Sequence, residues 1–199
     1  MADGSPPQAQ REAVDQTAMP AGMSRPISDI PGADLRRQKQ SSYSSGSPRP
    51  PRPNMVLSDV LLHPSEFDGT TILAPWTPRV GDQFEVLHTS IFGNFFLVDR
   101  LGRVSLLDSW SGQILGVSPS YDAYKASVSG DAEFFRSWFL TDLAGLLVTN
   151  GLSRSPGQVY APFVSPALGG KLAANNFSLA PLRAYVAVSA AEVLARASA

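Results

Sequence analysis

The amino-acid sequence predicts an α+β domain, in which an antiparallel sheet built around a meander packs against one long helix and several short helices, preceded by a disordered tail. Three observations lead to this prediction. The composition changes near residue 54, two β-prone runs flank a glycine-containing turn, and an apolar stripe at helical spacing follows them. Strands first, a long helix next and mixed elements last are typical of layered α+β packing rather than of a regular βαβ alternation.

Residues 1–54 differ in composition from the rest of the chain. They hold nine of the 17 prolines and one aromatic side chain, Tyr43, whereas all ten Phe and all three Trp come later. So few large apolar groups cannot offset the entropy of ordering the backbone, which predicts a disordered, proline-rich tail and linker. Its PRPPRP segment is typical of a spacer, and also fits a ligand for a proline-recognising module. Residues 55–199 are long enough to bury one core.

Charge and composition exclude several function classes. Residues 1–54 contain seven Lys/Arg against five Asp/Glu, and the remainder contains nine against twelve. Neither part has the strongly basic character of a protein that binds nucleic acid directly. The absence of cysteine excludes disulfides and thiolate chemistry. Since there is no apolar run long enough for a membrane span and no secretory signal pattern, we expect a cytoplasmic protein without a membrane partner.

The clearest local pattern is a β-hairpin that follows short elements at residues 56–62 and 70–74. Residues 94–99 and 103–108 are β-prone, and the loop between them places Gly102 where a positive φ angle is needed. The unbroken apolar run inside the first of these strands indicates that both of its faces are covered. A third strand at residues 113–117 completes the antiparallel meander.

Helical patterns follow the meander. Ser118 before a proline predicts the N-cap of a short helix over residues 120–127. A longer helix is predicted from Asp131, which can cap it, to Asn150-Gly151. Its apolar residues recur at spacings of three and four and form one wide stripe, namely Phe135, Trp138, Phe139, Leu143, Leu146 and Leu147.

The last part of the chain predicts shorter elements. Residues 159–164 and 185–188 are typical of strands, and residues 166–170 of a tight turn. Ser189, with Glu192 three residues later, predicts a capping box for a final short helix that ends near Ala197.

Patterns for metal, nucleophilic and phosphate chemistry are weak. His63 and His88 are 25 positions apart, with no further ligand at helical or hairpin spacing, which is typical of ordinary surface or boundary histidines. No G-x-S-x-G nucleophile motif is present. Residues 167–171, ALGGK, lack the spacing of a phosphate-binding loop and predict a packed turn. We therefore expect no metal and no cofactor.

Two aspartates allow an enzymatic alternative. Asp99 and Asp108 end the two hairpin strands, and a paired carboxylate site would suit a hydrolase. Aspartates also end strands by accepting backbone hydrogen bonds in Asx turns, and this is the interpretation that we favour.

The three tryptophans differ in their surroundings. Trp138 lies on the predicted apolar stripe and belongs to the core, and Trp76 follows a proline and is expected to pack over the sheet. Trp110 lies in a polar turn, where it is either an exposed interface anchor or folded back over the sheet edge.

An ordered series of motifs resembles a known family. Residues 92–99, FGNFFLVD, followed by GRV at 102–104, LD at 107–108 and SG at 111–112, resemble the fG-x-x-F-x-x-D-x-x-G-x-V-x-x-L-D-x-x-x-G pattern of type VI secretion immunity proteins. The resemblance is to the C-terminal domain of those that neutralise DNase effectors, within the broader SUKH (Smi/Knr-like) superfamily. ILAPW before this series, and GQVY and P-x-LGG after it, are similar to further elements of the family.

The resemblance implies a non-enzymatic antitoxin that remains in the producing cell and binds a cognate protein toxin. It carries over no interface residue, so Trp110 is the sole candidate for one. The matching positions are mainly structural, and they are Trp76, Gly93, Asp99, Gly102, Asp108, Gly112, Gly169 and Gly170. An adaptor that uses the proline-rich tail and the domain for different partners is the alternative from another class.

Overall fold

A four-stranded antiparallel sheet lies at the centre of the computed structural model, which describes residues 55–198. Its strands follow chain order as a meander, which confirms the predicted α+β class. They are β1 (Phe84–Thr89), β2 (Phe95–Asp99), β3 (Val104–Asp108) and β4 (Gln113–Ser118). The predicted disordered tail, residues 1–54, lies outside the described residues.

The β2–β3 hairpin forms where the glycine turn was predicted. Gly102 has a φ angle of 74°. The side chain of Asp99 accepts hydrogen bonds from the backbone N–H groups of Leu101 and Arg103, which closes the turn. Phe95 is paired with Leu107 across the hairpin, so large apolar side chains from both strands enter the core. The sequence did not predict β1, most of whose residues are half-buried.

Short helices precede the sheet at both places where short elements were predicted. They are α1 (Leu57–Val60), α2 (Gly69–Leu73) and α3 (Thr77–Val80), with 3-10 turns at Pro64–Glu66 and Ala74–Trp76. Asp68 begins α2 by accepting a hydrogen bond from the Thr70 N–H group. The turns carry Trp76 and Val80 into the core.

Two predictions about the middle helices are wrong. Helix α4 (Tyr121–Gly130) is capped by Ser120, whose hydroxyl accepts from Ala123 N–H, and not by Ser118. The predicted long helix is two helices, α5 (Ala132–Phe139) and α6 (Thr141–Thr149). They are separated by Leu140, which has a left-handed φ of 54°. A straight helix would present a single apolar stripe to the core. Because the chain bends at Leu140, α5 and α6 can each turn their own buried residues toward the same core.

The start of α5 and the end of α6 lie where the sequence predicted the two ends of the long helix. The Asp131 carboxylate accepts from Glu133 and Phe134 N–H groups and caps α5. Helix α6 ends at Asn150, whose N–H group bonds to carbonyl oxygens of the last turn. Local capping chemistry therefore fixed both outer ends, whereas packing fixed the break between them.

The C-terminal part is a two-stranded sheet followed by the longest described helix. Strands β5 (Gln158–Pro162) and β6 (Phe177–Pro181) pair antiparallel, and α7 (Leu182–Ala197) follows at once. The strand predicted at residues 185–188 and the capping box at Ser189 are wrong, because both lie inside α7. The buried residues Leu182, Val186, Ser189, Ala190 and Val193 have helical spacing.

One aromatic-rich core joins the main sheet to the helices. Phe96 stacks on Phe139 with ring centroids 4.7 Å apart, and Phe134 contacts both Tyr124 and Trp138. Burial of each such side chain contributes about 1.5–3 kcal/mol. The β5–β6 pair is attached through a hydrogen bond of 2.8 Å from Tyr160 N–H to the Ile91 carbonyl. The core therefore holds both sheets in one unit.

Candidate functional site

Two of the predicted motif glycines lie where a side chain would collide with α7. At Gly93, where φ is 73°, a Cβ atom would lie 2.6 Å from Cε1 of Tyr185. At Gly112, where φ is 71°, a Cβ atom would overlap the Val193 side chain. Trp76, the predicted sheet-packing tryptophan, is fully buried beside Gly112. These positions dock α7 on the sheet and offer no reactive group.

Asp99 and Asp108 do not come together. Each serves its own turn, since Asp108 accepts from the Trp110 N–H group and from the Ser111 hydroxyl. The two aspartates lie near opposite ends of β3, which at about 3.4 Å per residue places them roughly 17 Å apart. Burial tends to raise the pKa of Asp99, but hydrogen bonds from Arg103 and Leu101 outweigh it and hold the pKa below its ordinary value. The structure therefore does not assemble the carboxylate pair that a hydrolase would need.

The histidines are also separate. His63 is exposed and caps the 3-10 turn at Pro64–Glu66 through its ring nitrogen. His88 on β1 is half-buried, with its ring centroid 6.1 Å from that of Tyr124, and burial lowers its pKa. Within residues 55–198, no group of three or more His, Asp or Glu side chains is placed to hold a metal ion. No helix in the described range is long and apolar enough to cross a membrane.

Trp110 is buried, with 3% of its surface exposed, so its candidacy as an exposed anchor is wrong. Its ring packs edge-on against Phe92 and Phe177. The sequence allowed two positions for the Trp110 ring, exposed as an anchor or folded back over the sheet edge. In the structure it is folded back. The Trp110 carbonyl accepts a hydrogen bond of 3.1 Å from the Ser165 hydroxyl, which ties the β5–β6 loop to the β3–β4 turn.

The loop between β5 and β6 is held in shape by its polar and glycine residues. Asn176 bonds through its side chain to both the N–H and the carbonyl of Val164, and to the Lys171 carbonyl. Gly170 lies so close to the Val164 carbonyl that a Cβ atom would overlap it, and Gly169 has a φ of 88°. The glycine pair therefore builds a fixed turn, as expected, although Leu168 before it does not pack inward.

Three large apolar side chains of this loop face solvent. Phe163 is 71% exposed, Leu168 59% and Val164 49%. We call these three residues the hairpin-loop patch. The sequence pattern predicts a strand over residues 159–164, whereas β5 ends at Pro162 and leaves Phe163 and Val164 in the exposed loop. Clusters of exposed apolar side chains are typical of binding surfaces.

A groove adjoins this patch at Leu168. Its volume is about 460 Å³, and it lies between the β3–β4 turn, the loop and the end of α7. Arg79 and Arg196 line it together with Asp108 and Ser111, and Leu115, Val193 and Leu194 form its apolar walls. We call it the two-arginine groove. No local sequence pattern indicates this groove, because its residues come from four separate segments of the chain.

No family model matches this chain. No curated protein matches it either. Among solved structures, a protein from Agrobacterium tumefaciens, Atu4351, is similar at 17% sequence identity and a TM-score of 0.44. The match covers 62% of this chain and 64% of that protein, so the chain spans less than two thirds of its length. A likeness of this degree carries no argument about activity.

Positively charged residues predominate in the part of the sequence that contains the hairpin-loop patch. From residue 143 to residue 191 the sequence contains no Asp or Glu, although it contains Arg154, Lys171 and Arg183. Arg154 is paired with Glu66, while Lys171 lies in the same loop as the patch. The domain as a whole is acidic, so this part of its surface has the opposite charge character.

Proposed function

We propose that this chain is a non-enzymatic immunity protein that acts in the cytoplasm by binding and neutralising a secreted toxin effector. The toxin class that the motif resemblance implies is a type VI DNase. The observation that carries the proposal is the hairpin-loop patch, in which Phe163, Val164 and Leu168 are exposed on a loop of fixed shape. Large exposed apolar groups of this kind are favoured anchors of protein–protein interfaces.

The fixed shape of the loop supports association. Binding costs free energy when mobile segments become ordered, and a loop that is already ordered avoids most of this cost. The Asn176 side chain accepts from Val164 N–H and the Ser165 hydroxyl donates to the Trp110 carbonyl, and these bonds, with the close approach at Gly170, restrain the loop in the absence of a partner. The patch is therefore a preorganised surface.

The positions of the motif residues agree with this proposal. The glycines and aspartates of the series serve turns and the docking of α7, as described above, and leave the exposed surface to vary. The acidic balance of the domain also favours approach to a basic protein such as a nuclease, through long-range attraction.

Co-production in bacteria tests the proposal. Candidate effector nuclease domains from the source genome are expressed with the full chain, and survival and binding are measured. We expect protection by the native chain, and at least tenfold weaker binding for Phe163→Asp, since loss of a central aromatic anchor costs about 2 kcal/mol or more. Leu101→Asp is the matched control, because Leu101 is 75% exposed at the opposite end of β3 and should keep full binding. Failure of the native chain to protect against any candidate would refute the proposal.

The proline-rich segment favours a second candidate, a regulatory adaptor that recruits one partner through residues 1–54 and another through the domain. Deletion of residues 1–54 separates the two. An immunity protein of the proposed kind still protects after the deletion, whereas an adaptor loses a partner. A hydrolase that used Asp99 would lose its activity in Asp99→Asn, whereas this variant should leave the association of a binding protein intact.

A further inference from the structure

We infer that the two-arginine groove receives an acidic segment of the partner, in which a carboxylate side chain is followed by a large apolar one. This inference rests on the proposed function for the identity of the partner as a toxin. It assigns to the interface a second contact beside the hairpin-loop patch and specifies the chemistry that the contact recognises.

The two arginines are held at one turn. Nε of Arg79 donates to the Gly112 carbonyl at 2.8 Å, and Nη2 of Arg196 lies 3.5 Å from the Trp110 carbonyl. Each guanidinium is thus tethered by one nitrogen to the β3–β4 turn. Among residues 55–198, the Nη groups of Arg79 have no protein acceptor within hydrogen-bond distance. A carboxylate fits such groups well, because it accepts two parallel N–H bonds from one planar guanidinium.

The charge balance of the groove favours an anion. Among the described residues that line the groove, Asp108 alone carries a carboxylate, and its two oxygens accept hydrogen bonds from Trp110 N–H and the Ser111 hydroxyl. Two guanidinium groups against one carboxylate leave an excess of one positive charge. Lys171 lies on the neighbouring loop, while Glu192 precedes the α7 residues of the lining. A concave site with net positive charge in its lining concentrates its field on an approaching anion.

The apolar walls of the groove are the reason for expecting a large apolar side chain after the carboxylate in the bound segment. Leu115, Val193 and Leu194 line the groove, and the exposed Leu168 connects it to the hairpin-loop patch. An apolar side chain beside the carboxylate would cover these walls and exclude water from the ion pair, which strengthens it. A surface that binds DNA is basic. The segment bound here therefore lies outside the DNA-binding cleft of a nuclease toxin.

A peptide titration followed by NMR tests the inference on the full chain. The probe is the capped peptide Gly-Glu-Leu-Glu-Phe-Gly, and its counterpart has Gln in place of each Glu. We expect the acidic peptide to shift the Nε–Hε signals of Arg79 and Arg196 and the amide signals of Ser111 and Leu168. The Gln peptide should bind at least tenfold more weakly, because charged hydrogen bonds are lost. The Nε–Hε signal of Arg103, which is paired with Asp99 elsewhere, should not move.

Substitutions supply the controls. Arg79→Met and Arg196→Met should each weaken the acidic peptide about tenfold, while Arg103→Met should leave its affinity unchanged. Unchanged melting temperatures check that the variants are folded. Arg79→Lys keeps the positive charge but loses the planar pair of N–H donors, and should therefore bind the acidic peptide with intermediate affinity. Equal binding of both peptides, or no shift at the groove, would overturn the inference.

The two proposals fail in different ways. If the Arg79→Met, Arg196→Met double variant still neutralises the toxin and binds it with native affinity, the groove assignment is wrong and the proposed function stands. If the acidic peptide binds in the groove but no toxin is neutralised, the proposed function is wrong and the groove remains a site for acidic segments.

Discussion

Gly93 has no side chain, and the ring of Tyr185 occupies the space beside it. The hydroxyl of Tyr185 lies 3.2 Å from the Ser109 hydroxyl, which in turn donates to the side-chain oxygen of Asn94. Asn94 also accepts from the Ser109 N–H group. The absence of one carbon atom thus permits a tyrosine of α7 to join a polar network at the edge of the main sheet.

Substitution of Gly93 by alanine should destabilise the domain more than the same change at Gly102. Both glycines have a positive φ angle, but a Cβ atom meets the Tyr185 ring at Gly93 and has nothing within 4 Å at Gly102. Backbone strain alone costs about 1 kcal/mol. We expect about that loss for Gly102→Ala and about 3 kcal/mol for Gly93→Ala, because overpacking adds to the strain. Urea unfolding measures both, and equal losses would contradict the prediction.

The sequence indicates that glycines are needed in these turns but not what occupies the space beside them. A glycine in a hairpin loop has a local cause that a short pattern reveals. The Tyr185 ring approaches Gly93 from a helix about 90 positions further along the chain, and no local pattern encodes that approach. The same holds for Trp110, whose polar neighbours in sequence conceal its aromatic neighbours Phe92 and Phe177 in space.

An ion pair fastens the segment before β5 to the turn after α1. Nη1 of Arg154 lies 2.6 Å from Oε2 of Glu66, and both side chains are largely buried. Glu66 also accepts hydrogen bonds from the N–H groups of Gly157 and His63. Burial tends to raise the pKa of Glu66, but the Arg154 side chain and the two N–H donors lower it below its ordinary value.

Replacement of Glu66 by Gln should cost about 2–3 kcal/mol of unfolding free energy, because it leaves the buried Arg154 charge without its counter-ion. The matched control is Asp122→Asn, which removes an exposed i,i+3 partner of Lys125 and should leave stability unchanged. Chemical denaturation of both variants checks the difference. A loss in the control as large as that in Glu66→Gln would show that burial of the pair is not the cause.

A helix or strand could be predicted from the sequence where local interactions determine it, and could not where long-range packing does. Strands β2, β3 and β4 were predicted because apolar runs and glycine turns alternate there. Strands β1 and β6 were not, since their residues are mostly half-buried and have no strong pattern. The Tyr-Val-Ala-Val run at 185–188 favours a strand locally, yet it lies in a 16-residue helix whose buried positions recur every three or four residues.

His88 and Glu66 each contribute to the way in which the stability of the whole molecule depends on pH. Burial disfavours the charged form of His88, so its pKa in the folded state lies below its ordinary value of 6.5. A lowered pKa means that the unfolded chain binds the proton more tightly. The corresponding stability is complete above pH 6.5 and is lost as the pH falls toward the folded-state pKa. Glu66 acts in the same direction, but its loss begins only near its ordinary pKa of 4.5.

The free energy of unfolding should therefore decrease in two stages on acidification. The first stage, which begins as the pH falls below about 6.5, should disappear in His88→Gln, while the second should remain. Glu66→Gln should have the opposite effect and remove part of the second stage. Urea unfolding at a series of pH values measures both. An unchanged first stage in His88→Gln would assign that stage to another group.

The candidate site exists only in the assembled molecule. The three residues of the hairpin-loop patch are close together in sequence, yet their exposure depends on how the loop packs against the β3–β4 turn. The two-arginine groove combines residues from α3, β3, β4, the β5–β6 loop and α7. Sequence patterns record the needs of single helices, strands and turns, so the scaffold was largely predictable. The surface between separate elements was not.

In the β5–β6 loop, different residues set its shape and its exposed chemistry. Asn176, Ser165 and Gly170 hold the backbone, whereas Phe163 and Leu168 are mostly exposed to solvent. Random mutation can therefore exchange the exposed pair freely while the fold survives. If the binding surface of a partner changes, single substitutions in this loop can follow that change while the rest of the fold stays the same.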